Sequence, residues 1–246
     1  MRKIIFKKIT FLDLDEDEPK KIINNSGLFV FPSGPGLGTI NQNNNYHNAL
    51  KEADYVFFDS GYFVLLLKLL KNVSVKKYSG FKFLKFFFSY LSRNNDKSLF
   101  CIDPNDKFSQ KNKKFFKNFG LNNIYSYVAP IYNTQQIEDY NLIKILEEIK
   151  PDYVMTNIGG GTQEILGLFL KKKLKFKTTI LCTGGAISYF TGDQAPINYI
   201  IDRLFLGWLV RIIFRPKVFF FRYFKAIKLI SIVFKEKIIV KTVLIL

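Results

Sequence analysis

The chain has 246 residues, 48% of them hydrophobic, and a formal net charge of +17. That length suits one domain, or one domain with an appendage, and the charge points to a polyanionic partner or an anionic membrane surface. Two well-separated cysteines, Cys101 and Cys182, rule out a disulfide framework and fit a reducing compartment; with His47 as the single histidine, a His-based metal site or a Ser-His-Asp triad has no support.

The N-terminus carries an apolar run of three residues, Ile4 to Phe6, too short for a signal peptide. No stretch of 18 apolar residues runs without a charge, so no ordinary membrane-spanning helix is expected. Leu28–Phe31 reads as a strand, Asn43–Asp54 as a helix and Tyr55–Phe58 as a strand. Apolar helices follow near Tyr62–Leu70 and Phe81–Leu91. Ser98–Ile102 is a strand, Lys107–Phe119 a polar helix and Ile124–Val128 a further strand. Thr134–Lys150 has Ile137, Leu142, Ile145, Leu146 and Ile149 at helical spacing and stops at Pro151. Tyr153–Ile158, Gln163–Lys173 and Thr178–Cys182 read as strand, helix and strand. The alternation predicts an α/β fold, a Rossmann-like, largely parallel sheet flanked by helices. The 27 Phe residues are read in part as coding bias shared with Lys, Asn and Ile.

Near Asp202 the character changes. From Arg203 to Leu246 ten Lys/Arg face one acid, Glu236, among many Phe, Leu and Ile. The boundary is placed there: a catalytic α/β domain over 1–202 and a basic, amphipathic, helical C-terminal appendage over 203–246. Ile238–Leu246 fits either a terminal strand or a membrane-touching tail.

Ligands of open parallel sheets sit beyond the carboxyl ends of the strands, and four loops fall there. Gly34-Pro35-Gly36-Leu37-Gly38-Thr39 is a glycine-rich turn that misses the last glycine of the dinucleotide pattern. Asp59, after Tyr55–Phe58, is placed to take a proton from a bound hydroxyl, or else to cap the next helix. Gly159, Gly160, Gly161 and Thr162 join a strand to a helix, where backbone N–H groups suit a diphosphate. Gln163 either orients a hydroxyl or lies on the surface of that helix's first turn. Gly184 and Gly185 form a second close-approach loop, or simply pack a helix tightly on the sheet.

In order, these segments resemble the WecG/TagA/CpsF family of glycosyltransferases, glycosyltransferase family 26. Thr39-Ile40-Asn41 and Ala53-Asp54-Tyr55 leading to Asp59 and Gly61 resemble its Thr-x-Asn and Ala-Asp…Asp-Gly segments. Ser79-Gly80 is similar to its next glycine. Pro151-Asp152 leading through Gly159 to Gln163-Glu164 resembles Gly-x-Pro-Lys-Gln-Glu. Gly184-Gly185-Ala186, Gly192 and Ala195-Pro196 resemble Gly-Gly-Ala…Gly…Arg-Ala-Pro. Trp208-Leu209-Val210-Arg211 and Arg215-Pro216 resemble the closing Glu-Trp…Arg…Pro. The resemblance spans residues 25–222. The chain departs from it at Ser60, Gly161-Thr162, Gln194 and Gly207.

The resemblance implies an inverting glycosyltransferase that uses no cofactor and no metal. It would move a hexose or N-acetylhexosamine (an N-acetylmannosamine-type sugar, glucose or a uronic acid) from a UDP-sugar to a polyprenyl-diphosphate-linked glycan. Asp59 would be the general base, with Thr39, Asn41 and Gln163 at the same pocket. The departing diphosphate would meet N–H groups of the Gly159–Thr162 loop and, by folding over of the C-terminal segment, Arg211, Arg215 and Arg222. The segment 203–246 mixes basic and aromatic residues as an interfacial helix on anionic lipid does. The expected location is cytoplasmic, peripheral on the inner face of the cell membrane. Homo-oligomers through the apolar helices of 62–91 are a further expectation. A nucleic-acid partner is not expected, because the charge is interleaved with apolar residues and no binding motif appears. A nicotinamide-dependent oxidoreductase and an inactive membrane-binding relative are the alternatives.

Overall fold

A computed structural model of the chain describes residues 2–15, 18–193, 207–214, 216–217, 221 and 224–242, apart from the side chains of Trp208 and Arg211. The described residues form one nine-stranded sheet in the order β6-β5-β7-β8-β3-β4-β2-β1-β9. Its parallel block comprises β2 (Ile9–Asp13), β3 (Gly27–Val30), β4 (Tyr55–Phe57), β5 (Leu99–Asp103), β6 (Ile124–Val128), β7 (Tyr153–Thr156) and β8 (Thr179–Cys182). β1 (Arg2–Phe6) runs antiparallel to β2 on one side and to β9 (Ile239–Thr242) on the other.

The inner strands β5, β7, β8, β3 and β4 are covered on both faces and are therefore apolar on both sides. Alternate residues point to opposite faces. Leu28, Val30, Val56 and Phe58 join the core on one face, and Phe29, Phe31 and Phe57 join the core on the other. The second core is rich in phenylalanine. Phe31 stacks on Phe57 with ring centroids 4.4 Å apart, and Phe83, Phe87 and Phe88 of α5 (Gly80–Arg93) fill the space beneath. Much of the phenylalanine load therefore serves to build a core. Helices α4 (Gly61–Lys71) and α5 are apolar because they bury Phe63, Leu67, Phe83 and Phe87 within the chain.

Most of the sequence-based elements recur, with several differences. The β1–β2 hairpin was not expected. It turns through Lys7 and Lys8, both at positive φ (50° and 64°), the backbone that two-residue hairpins use with Asn or Gly; two lysines conceal it. The helix expected from Thr134 starts at Tyr140 as α7 (Tyr140–Ile149). Asp139 stops it earlier by capping the Leu142 N–H at 2.9 Å while accepting the hydroxyls of Tyr127 and Tyr132. Of the two readings left open for the C-terminus, the strand holds over Ile239–Thr242. The segment after residue 202 thus returns to the sheet, and the helix Lys228–Lys235 buries Leu229 and Val233 in the core. The boundary expected at 202 lies outside the described residues.

Cys101 and Cys182 are free thiols buried in the cores on opposite faces of the sheet, and burial pushes both well above the ordinary thiol range. A water-soluble thiol reagent should therefore find no reactive group in the native chain and two after unfolding. A stoichiometric reaction without denaturant would contradict this packing.

Candidate active site

The carboxyl ends of β3, β4, β5, β7 and β8 open on a cavity of about 670 Å³. Four of the five loops are those singled out above; the fifth, after β5, was not.

The loop after β4 carries Asp59. Phe58 is buried beneath it, and Ser60 caps α4, its hydroxyl accepting the Phe63 N–H at 3.2 Å. Asp59 is thus not the cap of the helix that follows it. Its Oδ1 reaches instead across the cavity wall to accept the Gly80 N–H at 2.8 Å, at the start of α5. This bond fixes the carboxylate where a strand end and a helix N-terminus meet. Among the described residues lining the cavity, Asp59 is the one carboxylate and Lys77 the one ammonium. Tyr62 also lines the cavity, its hydroxyl pushed above the ordinary tyrosine range by burial.

The glycine loop after β7 needs its glycines: Gly159 and Gly161 sit at φ +96° and +95°. Gly159 and Gly160 line the cavity, whereas Gly161 and Thr162 do not. The helix α8 (Thr162–Lys173) already has an internal anion at its start. Glu164, 1% exposed, accepts the Gly161 N–H at 2.6 Å. That N–H is therefore not available to a diphosphate.

Gln163 is fully buried rather than a surface residue of the first turn. Its Nε2 donates to the Cys182 carbonyl at 3.1 Å and to Glu164 at 3.0 Å, and its Oε1 accepts the Gly184 N–H at 3.0 Å. The side chain lines the cavity but works as a strut, holding Gly184 and Gly185 against the β7 loop. Both of those glycines lie on the wall.

The glycine-rich stretch after β3 is a short helix, α2 (Gly34–Gly38), capped by Ser33. Its start, Ser33 to Pro35, lines the cavity. Thr39 sits at its far end and donates its hydroxyl to the carbonyls of Pro35 and Gly36, 3.3 and 3.2 Å away. Asn41 is exposed on the one-turn 3-10 helix Ile40–Gln42. The fold therefore gathers Asp59, Gly159, Gly160, Gln163, Gly184 and Gly185, and leaves Thr39 and Asn41 off the wall. The physical reason is the helix: five residues of α2 carry Thr39 away from the strand end.

The C-terminal segment reaches the cavity. Gly207, Ile212, Phe224, Ala226 and Ile227 line it, and the backbone of Lys225 lies so close to α2 that a Cβ on Gly38 would stand 2.5 Å from its carbonyl oxygen. Arg215 and Arg222 lie outside the described residues, as does the side chain of Arg211.

Sequence reasoning missed a polar cluster at the other end of the cavity. Asp103, the last residue of β5, is fully buried and accepts Asn112 Nδ2 at 2.7 Å and Asn157 Nδ2 at 2.8 Å, both on Oδ1. Asn112 comes from α6 (Asp106–Asn118) and Asn157 follows β7, and both line the cavity. Burial pushes the Asp103 carboxyl above its ordinary range, against the hydrogen bonds from Asn157, Asn112 and Ser109. The available signal was positional: Asp103-Pro104-Asn105 closes an apolar strand, as Asp59 does.

The chain matches the model of the glycosyl transferase WecG/TagA/CpsF family over residues 8–242. It belongs to the WecG/TagA/CpsF glycosyltransferase family. The matched region takes in β2, every loop of the cavity and the C-terminal return to β9. The family is one of glycosyltransferases for cell-surface polysaccharides, which join a sugar donor to a glycan acceptor. A search of curated proteins finds no match. No helix of the described residues is long and apolar enough to cross a membrane.

Proposed function

We propose that the chain is an inverting, metal-independent glycosyltransferase. It moves a hexosyl or N-acetylhexosaminyl group from a UDP-sugar to a polyprenyl-diphosphate-linked glycan while docked on the inner face of the cell membrane. The observation that carries this reading is Asp59: a carboxylate held by the Gly80 N–H on the wall of a cavity at the strand ends, in a chain of this family. In this reading Asp59 removes the proton of the acceptor hydroxyl as that oxygen attacks the anomeric carbon from the face opposite the diphosphate. The diphosphate gains charge as the bond breaks and needs cations or aligned N–H groups. Lys77 on the wall is a first source, and Arg211, Arg215 and Arg222 of the covering segment are the proposed others. Gln163 holds the loops and stays out of the proton's path. Thr39 and Asn41 act indirectly, through the shape of α2 and the turn after it.

The membrane part of the reading is supported by the surface around the cavity mouth. Phe224 and Ile227 line the cavity and are themselves exposed, next to exposed Phe221, Ile230 and Phe234 and to Lys225, Lys228 and Lys235. An apolar polyprenyl chain would approach from that side.

The test is a panel of UDP-sugars offered with a polyprenyl-diphosphate-linked acceptor, with product mass as the readout and a parallel arm in EDTA. One sugar should be transferred, with unchanged yield in EDTA. If no UDP-sugar is transferred or hydrolysed, the reading fails; if EDTA abolishes transfer, its metal-independent part fails.

A further inference from the structure

We propose that β6, the edge strand next to β5, is a self-association surface. Two copies of the chain pair their β6 strands antiparallel, about a two-fold axis centred on Ser126, and so join their sheets into one. The proposal is independent of the reaction assigned above.

The sheet has two edges, β6 and β9. An edge strand offers unpaired N–H and C=O groups to any other strand, and proteins usually guard it with lysines, prolines or bulges. β9 is guarded: Lys241 lies within it, opposite Lys3 of β1. β6 is not. It reads Ile124-Tyr125-Ser126-Tyr127-Val128, in unbroken register with β5 and without a charge or a proline.

Charge sets this edge apart from the rest of the chain. The protein carries 37 Lys and Arg, yet none falls within 118–143. The same stretch leaves Phe119, Tyr125, Val128, Ile131 and Tyr140 exposed. The exposed apolar residues of the C-terminal segment are instead interleaved with Lys225, Lys228 and Lys235. Cations among apolar groups suit anionic lipid; an apolar strand edge without them suits protein. At a net charge of +17 two copies repel each other, and the β6 strand adds nothing to that repulsion.

The backbone supplies the register. The Leu99 N–H donates to the Asn123 carbonyl and the Ala129 N–H to the Asp103 carbonyl, both at 2.9 Å, at the two ends of the β5–β6 ladder. Alternation along the ladder turns the backbone groups of Tyr125 and Tyr127 towards β5 and those of Ile124, Ser126 and Val128 outwards. The Ile124 N–H is taken locally by the Asn122 carbonyl at 3.0 Å. The N–H groups of Ser126 and Val128 have no partner among the described residues. A two-fold axis through Ser126 uses what is free. Each Ser126 N–H meets the Ser126 carbonyl of the other copy, and each Val128 N–H meets the Ile124 carbonyl of the other copy. On one face Tyr125 then stands opposite Tyr127, an aromatic cross-strand pair, and on the other Ile124 stands opposite Val128. The strand is its own complement, which is what a two-fold dimer requires and what selects a second copy as the occupant.

This register states where an introduced cysteine cross-links. Hydrogen-bonded antiparallel partners stand about 5.5 Å apart at Cα, within disulfide reach. Cys101 and Cys182 are buried and do not compete. With oxidised glutathione, the full chain carrying Ser126→Cys should form a covalent dimer, whereas Val240→Cys on the exposed β9 edge should not. Ile124→Cys and Val128→Cys should cross-link when mixed and much less when each is alone. Sedimentation velocity of the wild type should show a dimer that grows with concentration. Ser126→Pro and Val128→Lys should each raise its dissociation constant by about tenfold or more. Both changes fall on the outward side of the strand and leave the ladder with β5 in place. Replacing Phe221, Phe224 and Phe234 together by Ser should leave the dimer unchanged. The proposal is overturned if the wild type is monomeric at every concentration. It is also overturned if Ser126→Cys yields no more covalent dimer than Val240→Cys, or if the dimer survives both β6 substitutions. The wild-type measurement and the near-isosteric Ser126→Cys decide the matter even where Ser126→Pro fails to fold.

Discussion

Asp59→Asn should lower the turnover of sugar transfer by about 10²–10⁴-fold, the range that a positioned general base contributes. Donor affinity should stay within about twofold of wild type, since the substitution leaves the shape of the wall unchanged. The variant is clean for a structural reason. Asparagine keeps an oxygen that can accept the Gly80 N–H, the bond that fixes Asp59 on the wall at 2.8 Å. It also leaves Ser60 to cap α4. What it loses is the capacity to carry a proton. Turnover and donor affinity, measured separately by product mass and calorimetry, decide the matter. Unimpaired turnover would remove Asp59 from the mechanism. Loss of donor affinity in equal proportion would make it a binding residue.

The same residue shows how far the sequence could be read. Asp59 follows an apolar strand and precedes an apolar helix, so its place at a strand end was legible. Its choice between catalysis and capping was not, because Ser60 next to it is as good a cap and the contact with Gly80 spans 21 positions. Gln163 was legible as a member of the site and misread in its chemistry. Its partners, Cys182 and Gly184, lie on another strand and loop, and only the sheet order brings them to it. The parallel block emerged from the alternation of short apolar runs with helical periodicity. The β1–β2 hairpin did not, because Lys7-Lys8 lacks the usual turn residues. β9 stayed ambiguous because its pairing with β1 joins the two ends of the chain, a contact that no local pattern encodes. Asp103 was hidden for a similar reason. Its partners Asn112 and Asn157 come from a helix and a second strand end, and singly each is an ordinary polar residue.

Replacing Phe221, Phe224 and Phe234 together by Ser should reduce partition onto anionic vesicles by about 10²–10³-fold, taking each ring to lose at least part of the ~1.5–3 kcal/mol of a fully buried side chain. All three are exposed, Phe221 at 73%, Phe224 at 66% and Phe234 at 67%. Point substitutions are needed here because deleting the C-terminal segment would do something else. The helix Lys228–Lys235 turns Leu229 and Val233 into the core and Ile230 and Phe234 outwards, and β9 behind it pairs with β1. Truncation would open the core and strip a strand, so a loss of sedimentation would have two causes. The outward face can be changed without touching the inward one. Lys225, Lys228, Lys235 and Lys237 are exposed along the same stretch, each expected to contribute about 1 kcal/mol near an anionic surface and less at high salt. Binding should therefore fall with salt in wild type and variant alike, while the difference between them persists because it is apolar in origin. Vesicle binding equal to wild type at every salt concentration would place the membrane contact elsewhere. Phe224 also lines the cavity, so the variant carries a second readout. Transfer to a polyprenyl-linked acceptor in vesicles should fall with partition, whereas transfer to a short-chain acceptor in solution should fall much less. An equal fall in both would make Phe224 part of the acceptor pocket rather than of the surface that docks it.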